Sequence, residues 1–186
     1  VDLAFYERLV AWAKENKVWV LSDLAYSELY FDGNPTPSIL QVKGAKDVAV
    51  EFTSLSKTYS MAGWRIGFAV GNQKLIAAMS RVKSYLDYGA FTPIQAAACA
   101  ALNGPQDIVE TNRQLYHKRR DVLIESFSRA GWDIPGPRAS MFAWAPLPPA
   151  IAHLGSLEFS KQLLTHAGVA VAPGVGYGED GEGFVR

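Results

Sequence analysis

Ser54-Leu-Ser-Lys-Thr-Tyr-Ser-Met-Ala-Gly-Trp-Arg-Ile-Gly67 is the most chemically dense stretch of this chain. It lies between two short apolar runs, Val48-Ala-Val-Glu-Phe52 and Ile66-Gly-Phe-Ala-Val70, which read as strands. Lys57 therefore stands in a hydroxyl-rich loop after a strand, and Arg65 follows eight residues on, just before the next strand. A lysine and an arginine between strands are most often solvated surface charges. Here Ser54, Ser56, Thr58 and Ser60 crowd the lysine, and Met61, Gly63 and Trp64 are unusual in a floppy loop. Two chemistries fit: an anion such as a phosphate held by Arg65 and hydroxyls, or a lysine that forms an imine.

Working outward, Val18-Trp-Val-Leu21 reads as another buried strand and leads into Asp23-Leu-Ala-Tyr26. Ligands of open α/β sheets bind beyond the carboxyl ends of strands. Asp23 and the Lys57 loop both follow strands and are expected on one rim. A simple turn cap is an equally good account of Asp23. Asp2 is expected to cap a helix with Leu3, Tyr6, Leu9, Val10 and Ala13 on one face. Helices are predicted over 73–86, 93–102 and about 106–130, the last stopped by Gly131. Ser140–Trp144 and Val169–Ala172 read as strands, with a helix capped by Ser156 between them. Strands alternating with helices indicate an α/β fold with a mostly parallel sheet.

Composition limits the function. The chain has 186 residues, 49% of them hydrophobic, which suits a folded core and argues against disorder. Its 18 basic and 18 acidic residues cancel, so no nucleic-acid partner is expected. No apolar run reaches the roughly 20 residues of a membrane span, and no signal segment opens the chain, so the expected compartment is the cytoplasm. The single Cys99, among alanines, reads as a small buried thiol. His153 and His166 lack partners at metal-ligand spacing, so no metal site is expected. The chain opens inside a helical pattern without Met and closes on Gly183-Phe-Val-Arg186, a strand just starting. A piece of a longer protein is expected.

Taken together, the Ser-x-Ser-Lys-x-x-x-x-x-Gly-x-Arg-x-Gly run and the Asp-x-x-Tyr segment upstream resemble class I/II aminotransferases of the fold-type I pyridoxal-phosphate superfamily. The resemblance covers essentially the whole chain. Val1–Arg8, Asp47–Phe52, Met61–Phe68 and Gly155–Phe159 are most similar to bacterial alanine (glutamate–pyruvate) aminotransferases, relatives of the LL-diaminopimelate aminotransferases. The resemblance implies that residues 1–130 are the C-terminal part of the large cofactor-binding domain and 131–186 the start of the small α/β domain. It implies pyridoxal 5'-phosphate as cofactor and a ping-pong Schiff-base transfer between an L-amino acid, alanine foremost, and a 2-oxo acid, 2-oxoglutarate or pyruvate.

The same resemblance gives Lys57 the cofactor aldehyde and the proton shuttle, and Asp23 the ring nitrogen. Tyr26 would donate to the ring oxygen. Arg65, Ser54 and Ser56 would hold the phosphate, and Arg186 the substrate α-carboxylate. It also implies a homodimer, with Tyr88 near a partner's site, although a packing tyrosine is the plainer reading. Complete members carry, before the point where this chain starts, an asparagine, a phosphate loop and a ring-stacking aromatic. The isolated piece is therefore expected to be inactive. The alternatives are an LL-diaminopimelate or aspartate aminotransferase, a lyase of the same fold, or an aminotransferase-like sensing domain of a transcription regulator.

Overall fold

The computed structural model describes residues 1–186, which form two compact units. Unit 1 is Val1–Leu115 with Arg138–Ser140, and unit 2 is Tyr116–Pro137 with Met141–Arg186.

Unit 1 begins with α1 (Leu3–Asn16), whose first turn is capped by the Asp2 carboxylate accepting from Phe5 N–H at 2.8 Å. Its apolar spacing buries Tyr6, Val10 and Ala13 against Ile39, Ala45, Val48 and Ala49, and this burial of apolar surface is what holds the helix in place. Strand β1 (Val20–Asp23) lies parallel to β2 (Ala49–Ser54), and β2 lies antiparallel to β3 (Gly67–Gly71). The α/β class stands, but this sheet is mixed. Between β2 and β3 lie only the one-turn helix α2 (Leu55–Thr58) and a short 3₁₀ turn at Ala62–Trp64. Without a long crossover helix the chain turns back antiparallel. Gly67 is required at that return, since a Cβ there would come within 2.5 Å of the Thr53 carbonyl oxygen. The Glu51 carboxylate ties the sheet to the preceding loop, accepting from Ser38 Oγ at 2.7 Å, Ile39 N–H at 3.0 Å and Ser22 Oγ at 3.4 Å.

Helices α3 (Gln73–Leu86) and α4 (Thr92–Asn103) follow, and α5 (Asp107–Arg129) runs through the division between the units. Along α4, Ala98 is buried but Cys99 is exposed, which corrects the expectation of a buried thiol. Adjacent helical residues point about 100° apart, so one inward alanine turns its neighbour outward. Tyr88, just after α3, is 93% exposed.

Unit 2 packs Ile134, Ala145, Leu147, Phe159 and Val185 into its own core. Trp132 donates its indole N–H to the Pro146 carbonyl at 2.8 Å and meets Phe127 and Phe159 edge-on. The strand expected over Ser140–Trp144 does not form. Ser140 takes a left-handed φ of 72°, and only the two-residue β4 (Ala145–Pro146) pairs, antiparallel, with β5 (Phe184–Val185). The run Val169–Ala172 is likewise no strand, although Ala172 exchanges both backbone hydrogen bonds with Arg186 at 2.9 Å.

Helix α6 (Gly155–Ala167) is not capped by Ser156, which lies inside it. Glu182 does that work from elsewhere in the unit, accepting from Ser156 N–H at 2.6 Å and Ser156 Oγ at 3.0 Å. The backbone N–H groups of Gly183 and Ser156 hold the Glu182 carboxyl below the usual carboxylate range. No helix is long and apolar enough to cross a membrane.

Candidate functional site

The register of the sheet sets the site. Asp23 ends β1 and pairs with Phe52, two residues before Ser54 ends β2. Ser54 pairs in turn with Gly67, the first residue of β3, two residues after Arg65. One parallel and one antiparallel pairing therefore bring Asp23, the Ser54–Lys57 segment and Arg65 to a single end of the sheet. Lys57 and Arg65 come to this rim because the chain leaves β2 and returns into β3 at the same end. Leu55 N–H donates to the Ile66 carbonyl at 3.2 Å and closes that return.

Each group is held by local chemistry. Asp23 is exposed, and its Oδ1 accepts from Ala25 N–H at 3.1 Å, as the turn-cap reading expects. Half-buried Tyr26 lies in the turn that follows, where Ser27 N–H donates to the Leu24 carbonyl at 3.0 Å. Ser54 caps α2 by accepting from Ser56 N–H at 3.2 Å. Lys57, in the same turn, is half-buried and its amine makes no hydrogen bond or ion pair. Arg65 takes a left-handed φ of 51°, is exposed, and spends one N–H on the Ala62 carbonyl at 3.1 Å. The rim thus offers a carboxylate, a phenol, hydroxyls, a guanidinium and an amine with no partner of its own.

Reasoning from the sequence missed the residues that brace this loop. Tyr59 Oη donates to Gln106 Oε1 at 2.7 Å, and Asn112 donates to the Thr58 carbonyl at 3.0 Å. The available signal was an asparagine three residues after Val109, on the face of α5 that both residues bury. Arg186 belongs to unit 2. Its guanidinium lies over the rings of Phe142, at 4.4 Å, and Tyr177, at 4.9 Å. Its guanidinium makes no hydrogen bond or ion pair, and its fork of N–H donors suits a planar anion.

The comparisons with known proteins agree with one another. A family model described as aminotransferase class I and II matches residues 1–186. The glutamate-pyruvate aminotransferase AlaC of Escherichia coli is 54% identical over the whole chain, which spans 45% of that protein. LL-diaminopimelate aminotransferase 2 of Trichormus variabilis is 46% identical over 99% of the chain and 46% of its own length. The substrate-bound structure of BacF from Bacillus subtilis superposes with a TM-score of 0.94 at 38% identity, covering all of this chain and 47% of BacF. The chain therefore spans about half the length of the curated relatives it matches.

Proposed function

Because this chain belongs to the class I and II aminotransferases, we propose that the protein containing it moves an amino group between L-alanine and a 2-oxo acid, 2-oxoglutarate or pyruvate. Homologues of this family depend on pyridoxal phosphate. The residues present fit that group. An amine without a partner suits its aldehyde, and Arg65 with the hydroxyls of Ser54 and Ser56 suits its phosphate. When bound, the cofactor withdraws electrons from the substrate's Cα and so makes that carbon acidic.

The chain's own residues do the rest. Lys57 holds the cofactor and, once displaced by substrate, takes and returns the Cα proton. Asp23 keeps a proton on the ring nitrogen. Tyr26 donates to the ring oxygen, and Arg186 grips the α-carboxylate. The observation that carries this reading is the convergence of Asp23, Lys57 and Arg65 on one sheet end. We assign residues 1–130 to the large domain and 131–186 to the small one, and take the enzyme to be a cytoplasmic homodimer.

A second substrate is favoured by a specific observation, the 46% identity to an LL-diaminopimelate aminotransferase. An amino-donor screen of the full-length protein separates the two readings. With 2-oxoglutarate as acceptor, L-alanine should give the highest kcat/KM among alanine, aspartate and LL-diaminopimelate. If LL-diaminopimelate is preferred, the alanine assignment is lost and transamination stands. If no donor is consumed, transamination itself is lost.

Arg186→Lys should raise KM for the amino acid and the 2-oxo acid together. Arg186 is exposed, so the loss is set at about 1.5–3 kcal/mol, the range for hydrogen bonds to a charged group. A lysine supplies neither the fork of donors nor a flat face for Phe142 and Tyr177. Unchanged KM for both partners would take Arg186 out of the site.

A further inference from the structure

The segment that carries Lys57 cannot hold its own shape. α2 is the four residues Leu55–Thr58, far below the length at which a helix persists alone. The last carbonyls of so short a turn have no partners within it and must find them elsewhere. Ser54 secures the start of the turn. Its far end is secured from α5. Asn112 Nδ2 donates to the Thr58 carbonyl at 3.0 Å, and Asn112 Oδ1 accepts from Ser60 Oγ at 3.3 Å.

Asn112 is 7% exposed, and a buried amide is stable only if its polar atoms are matched. Both ends of this amide are matched by the two residues flanking Tyr59, immediately after Lys57. Ser60 sits at a left-handed φ of 55°, which a non-glycine residue holds only where its surroundings impose it. Gln106 adds a second brace. It accepts from Tyr59 Oη at 2.7 Å and is itself fixed by donating to the Gly104 carbonyl at 2.7 Å.

We infer that Asn112 is a positioning residue for Lys57. By clamping the Thr58 carbonyl and the Ser60 hydroxyl, it fixes the turn over residues 58–60 and thereby the direction in which the Lys57 amine is presented. This rests on the reading of Lys57 as the cofactor-bearing amine.

The test uses the full-length holoenzyme. Asn112→Ala leaves the Thr58 carbonyl without its donor and frees the turn. It should lower kcat by about 10- to 100-fold, the range expected when a reacting group is misplaced by about an ångström. KM for donor and acceptor should stay within about threefold, because substrate contacts are untouched. The visible circular dichroism of the bound cofactor, which reports how firmly the protein orients it, should weaken while the absorbance band remains.

Ser60→Ala removes half of the clamp at an exposed position and should show the same pattern in milder form. If Asn112→Ala does not fold, Ser60→Ala alone decides. Wild-type kcat and wild-type circular dichroism in the folded variants, with only thermal stability reduced, would overturn the inference. A Lys57→Ala control should lose the imine absorbance band. If it keeps the band, the reading of Lys57 fails, and Asn112 has no amine to position.

Discussion

Replacing Lys57 with alanine in the full-length protein is expected to abolish the absorbance band of the imine that the lysine forms with the cofactor. Turnover should fall by about 10²–10⁴-fold, the contribution typical of a positioned proton-transfer group. The structure makes this a test of chemistry and not of folding. The Lys57 amine has no hydrogen bond or ion pair to lose, and alanine is the better helix former in α2. The thermal midpoint should therefore stay close to wild type. Spectral titration with cofactor and a coupled alanine assay measure both arms. A Lys57→Ala protein that transaminates near the normal rate would show that another group does this work.

The second large effect is at Asp23. Loss of a carboxylate that keeps a proton on the ring nitrogen should lower kcat by about 10²–10³-fold, comparable to removing one preorganised electrostatic partner. Asp23→Ala also removes the hydrogen bond from Ala25 N–H, so a loss in that variant has two causes. Asp23→Asn separates them, because its amide oxygen still accepts from Ala25 while the charge is gone. Asn should be nearly as inactive as Ala, and Glu should retain more activity than either. If Asp23→Asn works as well as wild type, the residue is a turn cap and nothing more.

Most of the rim was legible from residue types and their places after strands. Asp23 and Lys57 each follow an apolar run, and the strands themselves form within two residues of where the apolar patterns put them. Chain reversal between β2 and β3 was not legible. The apolar runs are the same for either strand direction, and the direction depends on how much helix the connection holds. Ser140–Trp144 failed for a related reason. Its apolar residues suit a strand, but Ser140 is left-handed and Pro146 follows, so pairing is confined to Ala145–Pro146.

The sequence by itself determined what is local: the α1 cap at Asp2, the inward faces of Tyr6, Val10 and Ala13, and the grouping of Ser54, Ser56, Lys57 and Arg65 in one short segment between two strands. Such features depend on side-chain period and on neighbours a few residues away, which a linear reading contains. Only the tertiary structure decided what links distant positions. It paired Asp23 with Phe52, brought Glu182 onto the first turn of α6, laid Arg186 over Phe142 and Tyr177, and set Asn112 against Thr58. The physical reason is that a buried or terminal polar group requires a partner without specifying which one. The identity of that partner is fixed only when the chain has closed around it.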